Sequence, residues 1–146
     1  MTAFAGDIIS ASDVNRRIAT TTRSSDTAAT SGTTELQVDT VTGLLVQGRR
    51  YRIRWYCLWS ASTTGDNFFF ILREGSGTGG AQLAFTTEHI DVNGVTEDKE
   101  LEVDYTASAT ASQTFTATFR RSSGGGTMTG KGASNGPASL IIEAGD

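Results

Sequence analysis

The sequence predicts an all-β fold, a β-sandwich or jelly-roll-like domain of about eight strands. The first reason is composition, because 23 threonines, 14 serines and 17 glycines make up 54 of the 146 residues. Threonine favours strands, whereas glycine and serine favour turns. The second reason is patterning: apolar and polar residues alternate over short segments, and no long window repeats apolar residues at helical spacing.

The first part of the chain, residues 1–33, is predicted to be an arm followed by a linker. A short helix over about Asp13–Ala19 would place Val14 and Ile18 on one face. Two helical turns are marginal by themselves, so this arm needs a surface to pack on. Residues 20–33 contain almost no large apolar side chain, which is typical of a linker or an extended surface strand.

The predicted sandwich domain spans residues 34–146. Its clearest strand is Arg49–Ser60, in which one face carries Tyr51, Ile53, Trp55, Cys57 and Trp59 and the other carries Arg50, Arg52, Arg54 and Tyr56. Further strands are predicted at Glu35–Val41, Phe68–Leu72, Gln82–Val92, Glu100–Tyr105, Gln113–Arg121 and Ala138–Glu143. Asn93-Gly94 is typical of a tight turn. We expect the following residues to be largely buried: Tyr51, Ile53, Trp55, Phe69, Leu101, Val103, Phe115 and Phe119.

Charge and hydropathy exclude several classes of protein. The net charge is -4 and the isoelectric point is near 4.9, whereas a nucleic-acid-binding domain usually has a basic excess. No stretch reaches the roughly 18 apolar residues that a membrane span needs. The N-terminal residues lack the basic and apolar regions of a signal peptide, which predicts synthesis in the cytoplasm. The single cysteine, Cys57, excludes an intrachain disulfide.

Three catalytic patterns occur, and each lacks the structural context that its chemistry needs. Gly75–Gly80 matches a dinucleotide-binding loop, but a strand-like segment follows instead of a helix. Gly132–Gly136 matches a nucleophile elbow around Ser134, but Pro137 follows, and the single histidine, His89, precedes the serine. Gly125–Lys131 resembles a phosphate loop without its magnesium-binding hydroxyl. We therefore predict no enzymatic activity, no catalytic residue and no cofactor.

Two charged stripes and an aromatic set leave alternatives open. The acids Glu97, Asp98, Glu100, Glu102 and Asp104 mark a solvated strand face, or else bind calcium. Arg50, Arg52 and Arg54 would contact phosphates, a partner's carboxylates, or the acidic strand beside them. The aromatic residues fit a buried core better than a sugar-binding groove, because most of them share the inward phase.

Five segments together resemble small structural proteins from the tailed phages of actinobacteria. They are Ala5–Asn15, Gly48–Arg54, the Gly65-Asp66 turn, Phe70–Gly75 and Pro137–Asp146. The resemblance spans most of the chain and implies a location in the virion. It also implies symmetric assembly, with a homotrimer as the leading expectation.

The resemblance implies two functions between which the sequence does not decide. The favoured one is a capsid decoration protein that binds and stabilises the assembled head shell, with the major capsid protein or other virion proteins as partners. The alternative is a minor tail or receptor-binding module that binds carbohydrate. The residues predicted to bind a partner are Phe4, Ile8, Ile9, Val14 and Ile18 of the arm, and Arg50, Arg52 and Arg54 of the basic stripe.

Overall fold

The computed structural model describes residues 17–30, 32–132 and 138–145, and these residues form nine β-strands and no helix. The strands are β1 (Arg17–Arg23), β2 (Leu36–Leu45), β3 (Arg50–Ala61), β4 (Asn67–Glu74), β5 (Ala81–His89), β6 (Glu97–Thr106), β7 (Ala111–Ser123), β8 (Met128–Gly130) and β9 (Ala138–Ala144). The predicted strands around Ile53, Phe70, Phe85, Val103, Thr116 and Ile141 are all present.

Two antiparallel sheets pack face to face. The first sheet has the strand order β1-β9-β3-β6, with the short β8 also paired to β3, and the second has the order β2-β7-β4-β5. From β2 to β7 the chain crosses between the sheets at every connection except the β4–β5 hairpin. Repeated crossing of this kind is typical of a jelly roll. The prediction of an all-β sandwich or jelly roll is therefore confirmed.

The core between the sheets is rich in aromatic side chains. The ring of Phe70 lies at its centre, with centroid distances of 5.9 Å to Trp55, 5.4 Å to Trp59 and 6.3 Å to Phe119. Trp55, Phe70 and Phe119 have no exposed surface, and Trp59 is 1% exposed. Tilted and edge-to-face rings of this kind stabilise a core beyond the area that they bury.

The burial predictions hold for most of the expected core but not for Phe69. Buried as expected are Tyr51, Ile53, Trp55, Leu101, Phe115 and Phe119, and Val103 lies half-buried against them. Phe69 instead points outward opposite Arg120, while Phe68 and Phe70 point inward. A continuous apolar run shows no alternation, so the sequence could not indicate which phenylalanine faces the core.

The N-terminal helix prediction is wrong for residues 17–19, which form the start of β1. This strand pairs antiparallel with β9, with Thr21 opposite Leu140 and Arg23 opposite Ala138. Because threonine is β-branched, the Thr20–Thr22 run favours a strand at the free edge of β9. The predicted arm therefore contributes an edge strand to the first sheet, while the remainder of the predicted helix, residues 13–16, lies outside the described residues.

Two glycine-containing turns take different roles. The Gly75–Gly80 loop joins β4 and β5 as a hairpin loop, and a strand follows it, as the sequence indicates. Asn93-Gly94 lies in the connection between β5 and β6, which belong to different sheets, so it does not close a hairpin. The Gly94 N–H instead donates to the carbonyl of Ala61 at 2.8 Å, and this bond fixes the crossing at one end of the sandwich.

A buried carboxylate fixes the loop before β8. Asp66 is 2% exposed, and it accepts hydrogen bonds from the backbone N–H groups of Gly125 (3.1 Å) and Gly126 (2.6 Å). Gly124 has a φ of +99°, and a Cβ at this position would overlap Asp66 Oδ1. The loop therefore requires glycine at position 124 for both conformation and space.

Gly124→Ala is expected to reduce the free energy of unfolding by at least about 1 kcal/mol, because it introduces both strain and overlap. Chemical denaturation checks this value. Gly125→Ala is the matched control, since no atom lies within 4 Å of a Cβ built there and the backbone bond to Asp66 is retained. Equal stabilities of the two variants would contradict the assigned role of Asp66.

Candidate interaction surfaces

The outer face of the first sheet carries two facing rows of charge, which we call the charge ladder. It consists of Arg50, Arg52, Arg54, Glu100, Glu102 and Asp104. Strands β3 and β6 pair antiparallel, which sets Arg52 opposite Asp104 and Arg54 opposite Glu102. Because the alternate residues of both strands pack into the core, strand geometry directs these six side chains to the outer face.

The members of the charge ladder pair with one another. The distances from nitrogen to oxygen are 3.1 Å for Arg50–Asp104, 3.2 Å for Arg52–Glu102, 2.6 Å for Arg54–Glu100 and 3.2 Å for Arg54–Glu102. The hydrogen bond from Arg54 to Glu100 raises the pKa of the Arg54 guanidinium. These contacts confirm the cross-strand pairing that the sequence allowed. The side chains are 40–61% exposed, so each pair adds little stability.

A shallow depression lies beside the charge ladder. It has a volume of about 190 Å³ and is lined by Arg54, Tyr56, Glu100, Ser139 and Ile141. Sites that enclose small molecules usually have volumes of about 300–1,000 Å³. The depression therefore fits one inserted side chain better than an enclosed substrate.

A second surface lies on the outer face of the other sheet, around Phe85. This residue is 57% exposed in the middle of the edge strand β5. Its ring contacts Phe69 edge-on at 6.1 Å, and the guanidinium of Arg120 lies 4.6 Å from the Phe69 ring centroid. Phe85, Phe69 and Arg120 therefore form a small surface cluster with one largely exposed ring.

The structure describes only one of the predicted apolar anchors of the arm. Ile18 lies on β1, 39% exposed, and its Cγ2 is adjacent to Gly43 of β2. The other four predicted anchors lie outside the described residues: Phe4, Ile8, Ile9 and Val14. The described anchor is thus partly exposed where β1 lies beside β2.

A buried ion pair between β1 and β2 was not predicted from the sequence. Arg23 donates to Asp39 through Nε (3.1 Å) and Nη2 (2.6 Å), and Trp55 Nε1 donates to the same carboxylate at 2.8 Å. Arg23 also donates through Nη1 to the carbonyl of Lys131 at 3.0 Å. The side chains of Arg23 and Asp39 are 7% and 2% exposed. This buried cluster connects the arm strand to both sheets.

In this cluster, burial and the charge of a neighbouring group shift the pKa values in opposite directions. Burial by itself would lower the pKa of Arg23, but the hydrogen bonds and the charge of Asp39 outweigh that effect and raise it. Cys57 lies 3.5 Å from Arg23 Nη2, and burial raises the pKa of its thiol to about 11. The thiol is therefore neutral at physiological pH, which fits its position on the apolar face of β3.

Cys57 is expected to react slowly with a thiol reagent in the native protein at mildly alkaline pH. Reaction requires an accessible thiolate, and this thiol is both buried and protonated. Release of chromophore from a disulfide reagent measures the rate, with protein unfolded in guanidinium as the fast control. Equal rates in the two states would contradict the position of Cys57 in the core.

The residues of the rejected catalytic patterns are not assembled into one site in the described part of the chain. His89 is exposed on β5, and its Nδ1 lies 3.0 Å from Asn67 Oδ1. Gly75–Gly80 lies in the β4–β5 loop, while Ser134 lies outside the described residues. Within residues 17–30, 32–132 and 138–145, no group of three or more histidine, cysteine or acidic side chains could hold a metal ion.

The described residues contain no helix that is long and apolar enough to cross a membrane. No protein-family model matches the chain, and no curated protein matches it in sequence.

Solved structures do share the fold. The chain aligns with the structure of Eiger TNF from S. frugiperda at a TM-score of 0.54 and 10% identity, over 90% of this chain and 94% of that one. It also aligns with the structure of infectious bursal disease virus, Gt strain, at a TM-score of 0.50 and 12% identity, over 100% of this chain and 43% of that one. At these identities the likeness is one of fold.

Proposed function

We propose that this chain is a non-enzymatic structural protein of a virus particle, which decorates and stabilises the assembled head shell. The observation that carries the proposal is the jelly-roll strand order, β1-β9-β3-β6 over β2-β7-β4-β5. Jelly rolls are common in viral capsid proteins. The alignment of the whole chain with part of an infectious bursal disease virus structure supports the proposal at the level of fold.

The two outer faces suit a protein that binds other proteins in many copies. The charge ladder presents fixed positive and negative rows, which favour one partner and one register over others. The aromatic core packs the two sheets together, and the single cysteine, Cys57, is a buried free thiol. We propose the major capsid protein as the principal partner, with self-association into a homotrimer as the resemblance implies.

The arm is the proposed anchor to the particle. It carries Phe4, Ile8, Ile9, Val14 and Ile18, and a free tail with so many apolar residues would be stabilised by docking on a neighbouring protein. Ile18 is 39% exposed at the start of β1, which places the described end of the arm at the surface. The Arg50, Arg52 and Arg54 face is the second candidate contact.

Binding of the purified full-length protein to assembled shells that lack it tests this assignment. We expect saturable binding in many copies. Replacing Ile8 and Ile9 together by aspartate should abolish the binding, whereas Thr42→Glu on the exposed outer face of β2 should not. If the arm variant decorates shells fully while Arg52→Glu does not, the charge ladder is the anchor instead. Absence of shell binding by the unmodified protein would contradict decoration.

One observation favours the alternative of a carbohydrate-binding tail module. Phe85 is a largely exposed aromatic ring, and such rings stack on sugars. A sugar site usually combines a groove with several exposed rings, whereas the other aromatic residues in the described ranges are buried or half-buried. Saturable binding to host-cell wall glycans, without binding to shells, would favour this alternative.

A further inference from the structure

Strand β5 ends the second sheet with a free edge. In the described part of the chain its backbone pairs with β4 alone. In an antiparallel sheet, alternate N–H and C=O groups of an edge strand point away from their neighbour. Such a row of unpaired groups is a template for an added strand.

The features that usually protect edge strands are weak along β5. Residues 81–87 contain no charged residue and no proline, although a bulge at Leu83 shortens the regular part. By contrast, the edge strand β6 carries six charged residues, and β1 carries an arginine at each end. The edge of β2 lies against β1, where Thr21 Oγ1 donates to the carbonyl of Thr40 at 2.7 Å. Among the described edges, β5 is therefore the one best suited to pairing.

The side chains of β5 indicate what would pair with it. Phe85 lies in the middle of the strand and is 57% exposed, although Phe69 already covers one side of its ring. The carboxylate of Glu88 is paired with Lys99 of β6, so its charge does not repel an added strand. An identical strand in antiparallel orientation would place a second phenylalanine beside the first, and aromatic cross-strand pairs are favourable.

We propose that the free edge of β5 joins two copies of this chain, with β5 of one copy antiparallel to β5 of the other around a two-fold axis at Phe85. In this register Ala84 faces the second copy's Thr86, and Gln82 faces the second copy's Glu88, so no like charges meet. The four phenylalanines, Phe69 and Phe85 of each copy, then form one row across a continuous sheet. The joint goes beyond the proposed function and is a different contact from that of the proposed homotrimer, because a two-fold axis relates two copies and cannot by itself generate a trimer.

A cysteine cross-link tests the register directly. Residues directly opposite in an antiparallel pair have Cα atoms about 4.5–5.5 Å apart, and disulfides form at Cα separations of about 4.4–6.8 Å. Phe85→Cys should therefore give a covalent dimer rapidly under mild oxidation. Native Cys57 does not compete, because it is buried and the pKa of its thiol is about 11. Leu44→Cys, at a 64% exposed position on the opposite edge strand, is the control and should remain mostly monomeric on a non-reducing gel.

The mass in solution provides the second measurement. By light scattering at high micromolar concentration, the unmodified protein and Leu44→Glu should have twice the mass of Phe85→Glu. Circular dichroism should show the same β-rich fold for all three, because both substituted positions are exposed. Equal masses for Phe85→Glu and the unmodified protein, or equal cross-linking of the two cysteine variants, would overturn the joint. Failure to bind particles would contradict decoration and leave this result unaffected.

Discussion

Replacing Asp39 by alanine is expected to lower the free energy of unfolding by about 3–5 kcal/mol. The substitution leaves the Arg23 guanidinium buried without its carboxylate and removes the acceptor of Trp55 Nε1. Removing one member of a buried ion pair costs more than the pair itself contributes, because the remaining charge stays desolvated. Unfolding in urea, followed by tryptophan fluorescence, measures the change.

Two comparisons distinguish this buried pair from the exposed ones. Asp104→Ala removes a partner of Arg50, and the side chains of this pair are 61% and 57% exposed, so the change should cost no more than about 1 kcal/mol. Replacing Arg23 by methionine and Asp39 by leucine together should restore part of the lost stability, since an apolar pair removes both charges while Trp55 Nε1 still lacks its acceptor. If Asp39→Ala is no more costly than Asp104→Ala, the buried cluster does not hold β1 on the sandwich.

Phe70→Ala is expected to have a similarly large effect, about 3–5 kcal/mol. The ring has no exposed surface and contacts Trp55, Trp59 and Phe119, so its removal leaves a cavity at the centre of the core. The tryptophan fluorescence of the native state should also change, because both indoles lose a neighbouring ring.

Phe69→Ala is the matched control, because Phe69 is the next residue on the same strand but points outward. It should cost clearly less than Phe70→Ala, since solvent can fill the space it leaves. If the two substitutions reverse their order, β4 faces the core with the opposite phase, and Phe70 does not lie between the sheets.

The sequence predicts a strand correctly where one face of the strand is exposed to solvent and the other is buried. In β3 the alternation of apolar residues with Arg50, Arg52 and Arg54 predicts both the strand and its two faces, and the structure confirms them. The strand that follows the Gly75–Gly80 loop is likewise predicted correctly. The reason is that a half-buried strand has a period of two, which local sequence displays directly.

The features that the sequence did not predict depend on contacts between distant residues. Asp39 faces inward because a bulge between Gln37 and Asp39 shifts the phase of β2, and alternation cannot indicate a bulge in advance. Its partner Arg23 lies 16 residues away in a segment without apolar pattern. The β5 edge depends on the order of strands in the sheet, which follows from tertiary packing rather than from local sequence.

The position of the chain in an intact particle tests the central proposal most directly. Purified virions with and without the protein, compared by electron microscopy, should differ by regular surface density on the head, into which the two-sheet sandwich fits. Particles that lack the protein should show a bare shell that releases its contents at a lower temperature. Virions in which the protein is absent from the head, or is found only on the tail, would contradict the decoration account.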